Sequence, residues 1–165
     1  MFKIAFVLFG LMVLGCVYSY YHPQDPYYNR YLPAEIEVSQ ILAYGSEFRL
    51  LEGCGAVIYE LSPAMAKKLN DKGASMLKTG MQPRGISDFR FAYGDWRPTP
   101  VASVFFSRFI QDDEGYTPMM CADLGGWEEK VRNIAAKAGG VYTFDDHSLL
   151  LLEPEEKLAV FLYEK

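Results

Sequence analysis

Histidine is almost missing from this chain: His22 and His147 are the only two among 165 residues. A zinc centre draws on three or four convergent ligands, so a histidine-based metal site has little to build from. Basic runs are missing as well. Sixteen lysines and arginines face 21 acids, a net charge of −5. Binding to nucleic acid or to an anionic lipid surface relies on clustered cations, and both are set aside here. No G-x-S-x-G, P-loop, G-x-G-x-x-G or H-E-x-x-H occurs, and no cofactor or metal is implied. Asp112-Asp113-Glu114-Gly115 lacks the spacing of a calcium loop. Internal repeats and low-complexity segments are absent after residue 33.

Apolar residues are plentiful. Half of the chain is hydrophobic and 15% is aromatic, enough for a real core and against general disorder. The most polarised stretch is the N-terminus. Lys3 precedes twelve apolar or glycine residues, 4–15, and then Cys16. A short basic n-region before an apolar run of 7–15 residues is the pattern of a secretory signal.

Val13-Leu14-Gly15-Cys16 resembles the lipobox of bacterial lipoproteins. The resemblance implies cleavage before Cys16 and acylation of that cysteine. Several acyl chains on one residue hold a domain at a membrane far better than one. Val17 stands where an aspartate would imply retention at the inner membrane, so the resemblance implies the outer membrane. Two other readings of the same residues stay open. Small residues at Val17 and Ser19 suit ordinary cleavage and a secreted domain. The apolar run 4–21 is long enough to span a bilayer uncleaved. All three place residues 22–165 outside the cytosol, on the periplasmic side of the envelope. Removing residues 1–15 leaves 150, one ordinary domain. It takes away Lys3 and no acid, moving the net charge from −5 to −6.

With Cys16 reserved for lipid, Cys54 and Cys121 remain as an even pair. In an oxidising compartment they are expected to form a disulfide. Residues 16–33 carry six tyrosines and prolines at 23, 26 and 33. Proline forbids regular helix and favours extended chain, so this segment reads as a tether between the anchor and one globular domain at 34–165.

Within that domain the expected class is α+β: an antiparallel or mixed sheet of about five strands with two or three helices. Pro33 and Gly45 bracket a short helix over residues 34–44. Residues 56–61, β-branched and apolar on both faces, read as an interior strand. Ser62-Pro63 opens a helix that Gly73 stops. Residues 89–93 and 101–106 read as strands. Trp127, Val131, Ile134, Ala135 and Ala138 form one helical stripe. Strands follow at 141–144, 149–152 and 158–163, with a turn at 153–156. The last strand is apolar on both faces, so each face of the sheet needs a cover.

Asp145-Asp146-His147 is the most suggestive polar cluster. Carboxylates beside an imidazole suit metal binding or acid–base work, yet sequence neighbours in a turn point in different directions, and a polar turn is the simpler reading. Ser75-Met76-Leu77-Lys78 and Lys78-Thr79-Gly80 match the S-x-x-K and K-T-G motifs of penicillin-recognising enzymes. Those enzymes use separate lysines on separate elements, whereas Lys78 serves both motifs here, so we read a chance match. The expected function is a non-enzymatic exported lipoprotein that binds a protein or another envelope component. The rivals are a small periplasmic hydrolase or metal-dependent enzyme using Asp145, Asp146 and His147, and a structural spacer.

Overall fold

A computed structural model describes residues 29–49, 52–85, 92–111 and 117–164. The signal, Cys16 and the tether up to residue 28 lie outside the described residues, as does most of the strand expected at 89–93. Among the described residues no helix is long and apolar enough to cross a membrane.

The chain forms a single α+β unit around one sheet. Its strands are β1 (Val38–Arg49), β2 (Glu52–Leu61), β3 (Arg97–Pro98), β4 (Val141–Phe144), β5 (Ser148–Glu153) and β6 (Leu158–Glu164). Their spatial order is β1-β2-β6-β5-β4-β3, and every neighbouring pair is antiparallel. Four α-helices are described: α1 (Pro63–Lys72), α2 (Ser103–Phe109), α3 (Pro118–Ala122) and α4 (Trp127–Ala136).

Period-two alternation sorts the central strands onto two cores. Val57, Tyr59, Leu61, Leu150, Leu152, Ala159 and Phe161 face one way, packing with Met65 and Leu69 of α1. Ala56, Ile58, Leu149, Leu151, Leu158, Val160 and Leu162 face the other, packing with Phe109, Met119, Val131 and Ile134 of the remaining helices. Continuous apolar runs in β5 and β6 therefore mark a sheet covered on both sides.

Local signals explain α1. Ser62 Oγ accepts from Met65 N at 3.1 Å, Pro63 occupies the first turn, and Gly73 leaves the helix at φ 56. The same grammar builds α3, where Thr117 Oγ1 accepts from Met120 N at 3.3 Å ahead of Pro118.

Three expectations are corrected. Residues 38–44 are strand, not helix, because Val38–Arg49 pairs along β2, with register shifts between Val38 and Gln40 and between Ile41 and Ala43. Those irregularities blur the alternation that would have signalled a strand. Residues 103–106 are helix, not strand. The sheet already has its edge there in the two residues of β3, and α2 instead covers the second face with buried Phe109. Residues 29–33 belong to the folded unit rather than to a tether. Leu32 is fully buried in the first core, and the Arg84 guanidinium donates to the carbonyls of Pro33, Ala34 and Ile36. Backbone bonds from Arg84 N to Leu32 O and from Gly85 N to Arg30 O complete that clasp.

Strand β5 ends on a buried acid, Glu153, only 5% exposed. Its carboxylate accepts from Glu155 N at 3.2 Å. Burial raises its pKa from the ordinary glutamate value; the Glu155 amide opposes this and the nearby Glu155 and Glu156 charges add to it. A raised folded-state pKa means that the native state holds the proton more tightly than the unfolded chain. The resulting stabilisation is complete below the unfolded pKa and is lost as pH rises through the folded one. Glu153→Gln keeps an acceptor for Glu155 N but never ionises. It is expected to be more stable than wild type at pH 7, with the gap closing towards pH 4. Thermal melts of both proteins across that range are the check, and parallel curves would refute it.

Candidate functional site

The β4–β5 turn carries the predicted polar cluster. Asp145 Oδ1 accepts from His147 N at 2.7 Å, the local bond that suits aspartate to a turn. Asp145 N donates to Ser148 O at 3.0 Å, and Glu164 N of β6 donates to His147 O at 2.9 Å. Arg108 reaches over from α2 to donate to the Asp146 carbonyl and to the Glu164 carboxylate. The turn is thus tied to the neighbouring strand and to a helix on the second face.

Beside it opens a cleft of about 310 Å³. Asp145 and His147 line it, whereas Asp146 is exposed and lies outside the lining. The structure therefore brings together two of the three residues. His147 faces solvent at the rim. Among the described residues no group of three or more His, Cys, Asp and Glu stands close enough to hold a metal.

Aromatic rings form the cleft wall. Phe161 and Tyr163 are two apart on β6 and so share its first face. Their ring centroids are 5.7 Å apart. Tyr31, held in place by the clasp on residues 30–36, lies parallel to both, 5.0 Å from Phe161 and 6.1 Å from Tyr163. The interplanar angles are only 12–21°. Gly55 pairs with Tyr163 across the β2–β6 ladder, and a Cβ there would stand 2.8 Å from the Tyr163 hydroxyl. That glycine gives the ring its seat.

Tyr93 closes the cleft floor and is almost fully buried. Its hydroxyl donates to Tyr31 O at 2.9 Å. Burial, with the Asp145 charge adding to it, pushes the phenol well above its ordinary pKa. It stays protonated at neutral pH and serves as a donor that fixes Tyr31, not as a base. Arg30 sits at the mouth, with Nη2 3.0 Å from the Tyr31 hydroxyl and its guanidinium carbon 4.9 Å from the ring centroid.

Cys54 on β2 and Cys121 in α3 have their sulfurs 2.04 Å apart, a disulfide spanning 67 residues of sequence. Cys54 is thus bonded to Cys121 and carries no free thiol. Cys16 lies outside the described residues.

Sequence reading missed the aromatic wall, Arg30, Glu164 and Arg108. A signal existed for Phe161 and Tyr163, whose i,i+2 spacing on a strand puts both rings on one face. Tyr31 is one of the six tyrosines of residues 16–33, rings able to stack on a ligand, but its proline-rich neighbourhood reads as extended spacer. No protein-family model, curated protein or solved structure matches this chain.

Proposed function

We propose that this chain is a non-enzymatic binding protein of the bacterial cell envelope, exported and anchored through an acylated Cys16, with the aromatic cleft as its working site. The observation that carries the reading is the cleft: a concave, ring-walled space with a few polar groups at its rim, the ordinary form of a ligand pocket. The chemistry beside it suits binding better than turnover. Asp145 spends one carboxylate oxygen on the turn backbone rather than on the His147 imidazole, so the base–orienter geometry of an acid–base site is not assembled. The Cys54–Cys121 pair fits an oxidising compartment, as export requires.

A photo-crosslinking amino acid placed at His147, on the cleft rim, is expected to form an adduct with an envelope component in intact cells. The same group at Glu129, exposed on α4 of the opposite layer, is expected to form none. Absence of any His147-dependent adduct would count against the cleft. Anchoring is tested independently by intact mass of the protein purified from membranes. The expected species starts at Cys16, carries acyl mass and gains two hydrogens on reduction; an unmodified full-length chain refutes it.

A further inference from the structure

We propose that the outer edge of β1 pairs with the same edge of a second copy of this chain, antiparallel and about a two-fold axis close to Tyr44. The cleft takes no part in this contact, and the two readings stand or fall separately. The sheet has two edges. One is β3, cut to two residues, Arg97 and Pro98, both exposed. Shortness, charge and proline are the devices that keep a sheet edge from pairing with another chain. The other edge is β1, twelve residues long. Its register shifts lie between Val38 and Ala43, and from Ala43 to Arg49 it pairs with β2 without interruption. Among the described residues no strand pairs with its other side. A regular row of backbone donors and acceptors therefore lines the outside of the sheet there.

Side chains and charge point to the occupant. Four large apolar side chains are exposed among the described residues: Leu42 at 37%, Tyr44 at 44%, Met120 at 45% and Val104 at 65%. Leu42 and Tyr44 belong to β1, and Met120 to α3, which packs over β1 and β2. Three of the four thus gather at one edge, and clustered exposure of this kind marks an interaction surface where scattered exposure does not. Residues 38–46 carry no charge, in a chain of net charge −5. They form a line along which two equally acidic copies meet without opposing acids. A two-fold axis at Tyr44 sets the two tyrosines across from one another, an aromatic pair of the sort that stabilises adjacent strands. Each Leu42 then lies diagonal to the tyrosine of the other copy, and Glu47 falls across from Ile41, so that no acid faces an acid. An isologous contact of this form needs nothing beyond this one sequence. Strand pairing alone is small for a stable dimer. Met120, one on each copy, adds apolar surface on the second face, and the contact is expected to be reversible.

The test is sedimentation equilibrium of the full-length protein in a density-matched detergent, over a concentration range reaching about 200 µM. Wild type is expected to pass from monomer to dimer with a Kd at or below about 100 µM. Tyr44→Lys and Leu42→Lys place on β1 the residue that natural sheet edges use against pairing. Both positions are exposed, so both variants are expected to fold, and each should weaken the dimer at least tenfold. Arg97→Ala, on the opposite edge, should leave the Kd within about twofold. Geometry is checked by mild oxidation of single-cysteine additions at the dimer concentration. Tyr44→Cys is expected to give a disulfide between two copies and Arg97→Cys none. A monomer at every concentration overturns the inference. So does a dimer whose Kd both lysine variants leave unchanged, or one in which Arg97→Cys links and Tyr44→Cys does not. A His147 adduct in cells bears only on the cleft and does not alter these outcomes.

Discussion

Serine at both position 54 and position 121 is expected to lower stability by roughly 4 kcal/mol, the loop-closure contribution of a bridge of this span. For a domain of this size that corresponds to about 10 °C in Tm. The figure follows from topology. Cys54 lies near the start of β2, paired with Glu47 on β1 and Glu164 on β6. Cys121 belongs to α3, a helix of only five residues. Helices that short do not hold themselves together in water. The bridge is what fastens α3 over the β1–β2 pair, so its loss acts on the unfolded chain and on this local contact together. Differential scanning calorimetry of wild type with and without reductant, and of the double serine variant, checks the claim. Reductant should move wild type to the variant's Tm and leave the variant unchanged. A variant melting within about 2 °C of oxidised wild type would show that the bridge stabilises nothing.

The parts of this fold that were legible in the sequence are those where local preference and final environment agree. Residues 56–61, 149–152 and 158–162 are short, β-branched or leucine-rich, and apolar on both sides, and all three became central strands with a core on each face. Ser62-Pro63 and Gly73 marked α1 at both ends because the caps lie within a few residues of the helix they close. Thr117-Pro118 carries the same cap signal for α3, beside an acidic, glycine-containing stretch. Residues 38–44 were unreadable for a different reason. Their identity as strand depends on β2, and two register shifts disturb the only local sign of it. The aromatic run at 101–106 suits helix and strand alike, and the choice was made by the uncovered second face of the sheet, a long-range fact. The candidate site divides the same way. The Asp145–His147 turn could be seen because turn chemistry is local. The cleft could not, because Tyr31, Tyr93 and Tyr163 meet only after residues far apart in sequence are folded together.

Gly45→Ala carries the second large effect, and it tests how α3 is seated. Gly45 pairs with Ala56 across the β1–β2 ladder. A Cβ at Gly45 would stand 1.9 Å from the Ala122 carbonyl oxygen and 3.1 Å from Leu124 Cδ2. The first obstacle is backbone, so no rotamer change relieves it; either α3 lifts away or β1 bends. Overpacking a well-filled site typically costs about 1–3 kcal/mol. Here the cost should reach or exceed about 3 kcal/mol, because Cys121, one residue before Ala122, is bonded to β2 and resists the lift. That resistance makes a sharper prediction than the single variant alone. In the background lacking the bridge, α3 is free to move and the alanine should cost much less. Urea denaturation of wild type, Gly45→Ala, the double serine variant and the triple variant closes a double-mutant cycle. A coupling of at least about 1 kcal/mol, with the triple variant more stable than additivity allows, is expected for groups in direct contact. Additive losses within about 0.5 kcal/mol would mean that the sheet, not the helix, absorbs the new methyl group. In that case the bridge and the glycine contact would be independent fastenings.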